Sequence, residues 1–149
     1  MIEELFSTAI KNQLDFHTKN ISDIKELIST QPTFSEWKPI TQKSKSSIGV
    51  YMILHKPTQT ISSIGCGRIG NRKGRHLSVF RNGGGDITHH NGSTSGSITG
   101  RKMYEMDTDL GNWWFSYCEI PNSSLASEYE RLLQLEIKPP FNNLSMGGK

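Results

Sequence analysis

The chain has 149 residues, of which 34% are hydrophobic and 21% charged, and carries a net charge of +3. That is the size of one domain with a modest core. No apolar run approaches the ~18 residues of a membrane-spanning helix, which excludes an integral helical membrane protein. Two cysteines, Cys66 and Cys118, exclude a disulfide framework and an all-cysteine zinc site. The opening MIEELFSTAIKNQ lacks the basic start and apolar stretch of a secretory signal, so a cytoplasmic, intracellular protein with no membrane partner is expected.

In chain order, residues 1–30 read as helical. Leu5, Ile10 and Leu14 form one apolar stripe, Ile21, Ile24, Leu27 and Ile28 form a second, and Ser22 is a candidate cap between them. Pro32 and Pro39 punctuate a connection containing Trp37, and residues 41–47 form a polar linker. The stretch 1–47 is therefore expected to be a helical extension and linker before a folded domain at 48–149. Residues 48–54 (IGVYMIL) read as a strand, 55–59 as a turn and 60–64 as a second strand, giving a hairpin. Gly65, Gly67 and Gly70 suggest a tight loop before a basic helix at 71–81. Gly74 within that helix costs about 1 kcal/mol relative to alanine.

Residues 82–100 read as a long loop, with six of the chain's 14 glycines between Gly83 and Gly100. Residues 113–120 (WWFSYCEI) read as a third strand. Ser123 or Ser124 is expected to cap a last helix with Leu125, Tyr129, Leu132, Leu133 and Ile137 on its apolar face, stopped by Pro139-Pro140. The order is ββαβα behind a helical arm, an α+β chain.

Charge is unevenly distributed. The first 30 residues hold Lys11, Lys19 and Lys25 against five carboxylates, whereas residues 68–81 hold Arg68, Arg72, Lys73, Arg75, Arg81 and His76 with no acid. A basic run of this kind suits a nucleic-acid backbone.

Several motifs fall in one order along these elements. Gly49-Val50-Tyr51 lies on the first strand and Ser63-Ile64-Gly65 on the second. Arg72 and His76 lie on the basic helix, Glu130 on the last helix, and Asn142 in Pro139-Pro140-Phe141-Asn142 just after it. Tyr51 and Arg72 are 21 residues apart, Arg72 and His76 are 4 apart, and Glu130 and Asn142 are 12 apart. In these residues and intervals, residues 48–143 resemble the GIY-YIG nuclease family. The resemblance implies a small, mostly antiparallel three-stranded sheet flanked by helices. It also implies a Mg²⁺-dependent (or Mn²⁺-dependent) DNA endonuclease in which Tyr51, Arg72, His76, Glu130 and Asn142 are catalytic and Glu130 holds the metal. Two positions depart from the pattern: Ser63 stands for the second signature tyrosine, and Cys66 stands where some members carry lysine. Ser63 retains only a hydroxyl, suited to a hydrogen bond to water or phosphate, and Arg68 is a candidate for the missing charge.

The residue types suit the chemistry. Phosphodiester hydrolysis needs a base for water, a cation at the developing charge and positioned donors. Arg72 and His76 share a helix face, and a guanidinium can grip a phosphate with two parallel hydrogen bonds. One carboxylate, Glu130, suffices for Mg²⁺ because that ion keeps several waters and substrate oxygens. A phenol is a poor base at neutral pH. Either nearby positive charge lowers the pKa of Tyr51, or His76 accepts its proton; the sequence leaves both routes open.

Each residue also has an ordinary reading: strand packing for Tyr51, a solvated arginine for Arg72, a structural imidazole for His76, a loop asparagine for Asn142. Glu130 could close a capping box from Ser127, and Glu128 and Glu136 are rival ligands. Adjacent His89 and His90 lack zinc-site spacing, but could contact a DNA groove from the 82–100 loop, alongside phosphate contacts from Arg68, Lys73, Arg75 and Arg81. Double-strand cleavage by a domain with one site suggests a homodimer. The rival class is a catalytically silent nucleic-acid-binding module, favoured by Ser63 and Cys66.

Overall fold

The computed structural model describes residues 33–44, 46–85, 87–88, 94–95 and 97–142. The expected helical arm at 1–30 lies outside the described residues, as do His89 and His90. The described elements are β1 (Lys38–Pro39), β2 (Ile48–His55), β3 (Thr60–Arg68), α1 (Ile69–Arg81), β4 (Ile87–Thr88), β5 (Thr94–Ser95), α2 (Ile98–Met106), a 3₁₀ turn (Leu110–Asn112), β6 (Trp113–Glu119) and α3 (Ser123–Ile137). The fold is α+β. No helix among the described residues is long and apolar enough to cross a membrane.

The main sheet is antiparallel, with strand order β1-β6-β2-β3. β2 lies between β6 and β3 and is buried on both faces, which explains its unbroken apolar run. Val50 and Met52 face one core with Ile64, Leu125, Tyr129 and Leu132, under α3. Tyr51 and Ile53 face the other with Ile69, Met103, Trp113 and Phe115, under α1 and α2. The sheet is thus the middle of three layers, and β3 is an edge strand. Register slips once in the β2–β3 pair: Ile53 opposes Ser63 but Leu54 opposes Ile61, leaving Ser62 as the extra residue.

Four expectations need correction. Among the described residues the main sheet has four strands rather than three, because Lys38–Pro39 pairs with Phe115 and Trp114. A two-residue strand containing proline has no alternation to read, and proline is tolerated there because the position is an edge. Gly65 and Gly67 lie within β3, which runs to Arg68, and Gly70 is already in α1. Residues 82–100 are not one loop: β4 and β5 pair as a short ribbon, and α2 begins at Ile98. Finally, α3 is capped by Asn122, whose Oδ1 accepts from the amides of Ser124 and Leu125 at 2.9 and 3.2 Å. Glu130 is therefore mid-helix, and the capping-box reading fails. Lys138 ends the helix in the left-handed region at φ 54°, with proline following.

Candidate active site

The site is assembled where α1 and α3 meet opposite faces of the edge strand β3. Tyr51 projects from the central strand toward α1. Its Oη lies 3.2 Å from Nε2 of His76, and its ring stacks on Phe115 with centroids 5.4 Å apart. Gly65 stands directly opposite Tyr51 in the ladder, and a Cβ there would meet Oη at 2.4 Å. The glycine is what lets the phenol lie across the edge strand. Arg72 lies over Gly67, where a Cβ would meet its Nε at 2.7 Å; Gly67 also has φ +124°, a conformation L side chains rarely adopt. From this exposed position the Arg72 charge acts on Tyr51, His76, Cys66 and Glu130.

Glu130 approaches from α3. Its Oε1 accepts from Sγ of Cys66 at 3.3 Å. The position after Gly65 therefore holds the carboxylate by a weak donor rather than by a lysine. Burial raises the Glu130 pKa above its ordinary value, opposed by Cys66, Arg72 and Gln134. Burial, then Glu130, pushes the Cys66 thiol up to about 12, so it stays protonated and can donate. Burial also lifts the Tyr51 phenol above its usual range despite Arg72. In the protein alone desolvation outweighs the guanidinium. Burial, followed by Arg72 and Arg75, lowers the His76 pKa to about 4, so the imidazole is neutral at physiological pH.

The third member of this cluster is Ser97, which sequence reasoning missed. Its Oγ lies 2.6 Å from Nδ1 of His76 and accepts the amide of Gly100 at 2.8 Å as the N-cap of α2. The only signal was a serine three residues before a glycine. It is hidden in a Gly/Ser/Thr run and lacks the glutamate that would complete a capping box.

Three of the expected site residues have internal surroundings. Asn142 does not face the cluster with a free amide. Its Oδ1 accepts from Ile64 N at 2.8 Å and its Nδ2 donates to Ile64 O at 2.9 Å, so it acts as a one-residue continuation of the sheet. Lys73 is buried at 5% exposure, and its Nζ donates to the carbonyl of Gln42, so it fastens the 41–44 segment to α1. Ser63 is buried opposite Ile53. Arg68, Arg75 and Arg81 are exposed. Glu128 is buried and paired with Arg131 on α3, which removes it as a rival ligand.

No group of three or more His, Cys, Asp or Glu side chains is placed to hold a metal ion among the described residues. Glu130 nevertheless fits a hard divalent cation: it is a half-buried oxygen donor whose anionic form burial disfavours, and a cation would restore that form. No family model, curated protein or solved structure matches the chain. The functional reading therefore rests on the site and the motif resemblance.

Proposed function

We propose that this chain is a metal-dependent DNA endonuclease of the GIY-YIG type that hydrolyses phosphodiester bonds. The observation that carries the reading is the convergence of Tyr51, Arg72, His76 and Glu130 around Gly65-Cys66-Gly67. Four residues spread over 80 positions of chain meet there, and their types suit the chemistry. Mg²⁺ or Mn²⁺, held by Glu130 together with water and phosphate oxygens, would supply positive charge at the scissile phosphate. Arg72 grips the phosphate and balances charge in the transition state. Tyr51 orients the attacking water, with His76 holding the phenol in place; a cation bound beside it would favour the phenolate, the form able to take the proton of the water. Arg75, one turn beyond Arg72 on α1, and Arg68 just before the helix add exposed positive charge for the backbone of double-stranded DNA, with Arg81 at the end of the helix. Two copies as a homodimer would cut both strands.

Incubation of the purified protein with supercoiled plasmid tests the reading. Nicked and linear products with Mg²⁺, and none with EDTA, are expected. Plasmid left intact by protein that retards it on a gel would make the chain a silent nucleic-acid-binding module.

A further inference from the structure

We infer that Gln134 is a positioning residue for Glu130: its side-chain amide is anchored on the edge strand at the Ile64 carbonyl and, together with Cys66, holds the carboxylate in the orientation that receives a divalent cation. Its part in cleavage rests on the nuclease reading; its hold on the carboxylate does not.

Glu130 and Gln134 are four residues apart on α3, so they share a face of the helix. They lie over Cys66 and Ile64, two residues apart on one face of β3. Cys66 Sγ donates to Oε1 of Glu130 at 3.3 Å, and Nε2 of Gln134 donates to Ile64 O at 2.8 Å. A carbonyl oxygen only accepts, so the bond to Ile64 fixes which end of the Gln134 amide faces the strand. That nitrogen carries a second hydrogen. Gln134 also hydrogen-bonds Glu130, and an anionic carboxylate only accepts, so the same nitrogen serves it. Glu130 is thus gripped by two donors, a thiol from the strand and an amide from its own helix.

The sheet edge alone does not account for Gln134. Ile64 already has both backbone groups paired with Asn142, N–H to Oδ1 at 2.8 Å and carbonyl from Nδ2 at 2.9 Å. The carbonyl would stay satisfied without the glutamine. What Gln134 adds, at 8% exposure, is a fixed donor beside the carboxylate.

That donor matters because Glu130 is the only protein ligand assigned to the cation. A loose glutamate samples many rotamers, and ordering it opposes binding. Hydrogen bonds behind a ligating carboxylate order it beforehand, and loss of such a partner costs about 10–100-fold in metal affinity.

The test begins with the free protein. In the ¹H–¹⁵N spectrum of the Gln134 side-chain amide, Glu130→Ala should move one of the two protons upfield, because it loses its acceptor. The proton bonded to Ile64 should stay in place. Mn²⁺ is then titrated into the free protein while the backbone amide signals of Cys66 and Glu130 are followed. Gln134→Met keeps the length of the side chain and leaves Ile64 paired with Asn142, so it should fold. It should need about tenfold or more Mn²⁺ for the same broadening. On supercoiled plasmid, the Mg²⁺ concentration for half-maximal cleavage should rise by a similar factor, with the rate at saturating Mg²⁺ close to the natural value. A merely structural bond would change stability without moving the metal requirement. Two unmoved amide protons in Glu130→Ala overturn the inference, whether or not Gln134→Met folds. So does an unchanged Mn²⁺ requirement in folded Gln134→Met, or a natural protein whose Cys66 and Glu130 signals stay sharp with Mn²⁺. Absence of cleavage by the natural protein would instead remove the nuclease reading, while the amide spectrum and the Mn²⁺ titration still decide the role of Gln134.

Discussion

The ring of Tyr51 occupies the space that a side chain at Gly65 would fill: a Cβ on residue 65 would stand 2.4 Å from Oη and 2.5 Å from Cζ. The ring cannot swing away cheaply, because it stacks on Phe115 and is bonded to His76. Gly65→Ala should therefore displace the phenol and cost roughly 1–3 kcal/mol, as overpacking of a buried ring does. Cleavage should fall with it. Urea denaturation and a plasmid assay check both. Unchanged stability together with unchanged cleavage would mean that the phenol is free to move and that its position is unimportant.

Glu130 and Glu128 sit two residues apart on α3 but serve different ends, one bonded to Cys66 and the other paired with Arg131. Glu130→Ala should abolish Mg²⁺-dependent cleavage and leave plasmid binding, since affinity comes mainly from the basic contacts. Glu128→Ala should cleave normally. Loss of cleavage in Glu128→Ala with retention in Glu130→Ala would reverse the assignment of the metal ligand.

His76 makes stability depend on pH. Its pKa is about 4 in the fold against an ordinary 6.5, so the unfolded chain takes up the proton first as pH falls. The stabilisation is complete above pH ~6.5 and is lost as pH drops toward 4, by on the order of 3 kcal/mol. Glu130, whose pKa is raised by burial, acts in the opposite sense, so the comparison must be between the natural protein and His76→Phe. The variant should show a flatter decline in urea midpoint between pH 7 and pH 4. Parallel profiles would mean that the imidazole is not held neutral.

The parts of this fold visible in the sequence are those written in periodicity. The apolar run of β2, the long apolar face of α3 and the basic helix α1 could each be read within a residue or two at one end, and Arg72, His76 and Glu130 fell on their elements. Features made by distant partners could not. β1 is a strand only because Trp114 and Phe115 lie beside it, and α2 is apolar at so few positions that its glycine- and serine-rich start resembles a loop. The same holds for Ser97, Lys73 and Asn142, whose roles depend on which atom lies within hydrogen-bond reach. The basic run favoured phosphate contact for the lysine, and the family resemblance implied catalysis for the asparagine. The structure gives both side chains internal partners.

Asn142 closes the open edge of β3. Its amide pairs with both backbone groups of Ile64, and Phe141 N donates to Ser62 O at 2.9 Å, so two residues after α3 run along the strand as a substitute neighbour. Asn142→Leu should lose both side-chain bonds and cost about 1–3 kcal/mol. Asn142→Asp keeps the acceptor and should cost less. Cleavage per folded molecule should survive in both when assayed well below the unfolding temperature. A variant that keeps its stability but loses cleavage would return Asn142 to the chemistry.

Burial divides the basic run at 68–81 into two functions. Arg68, Arg72, Arg75 and Arg81 are exposed, whereas Lys73 turns inward, where its ammonium bonds the Gln42 carbonyl 5.4 Å from the centre of the Phe115 ring. Burial lowers the Lys73 pKa, as it does for an ammonium removed from water. Each phosphate contact made by a basic side chain adds about 0.9 to the slope of log affinity against log salt. Arg75→Ala should therefore weaken DNA binding at low salt and reduce that slope by about 0.9. Lys73→Met keeps the apolar stem and removes the charge, so the slope should stay unchanged while stability falls by roughly 1–3 kcal/mol through the lost bond from the ammonium to the Gln42 carbonyl. Binding isotherms on a short duplex at several salt concentrations, beside urea denaturation of the same samples, separate the two effects. A slope reduced by the same amount in Lys73→Met as in Arg75→Ala would show that the lysine leaves its internal partner to reach the phosphate backbone.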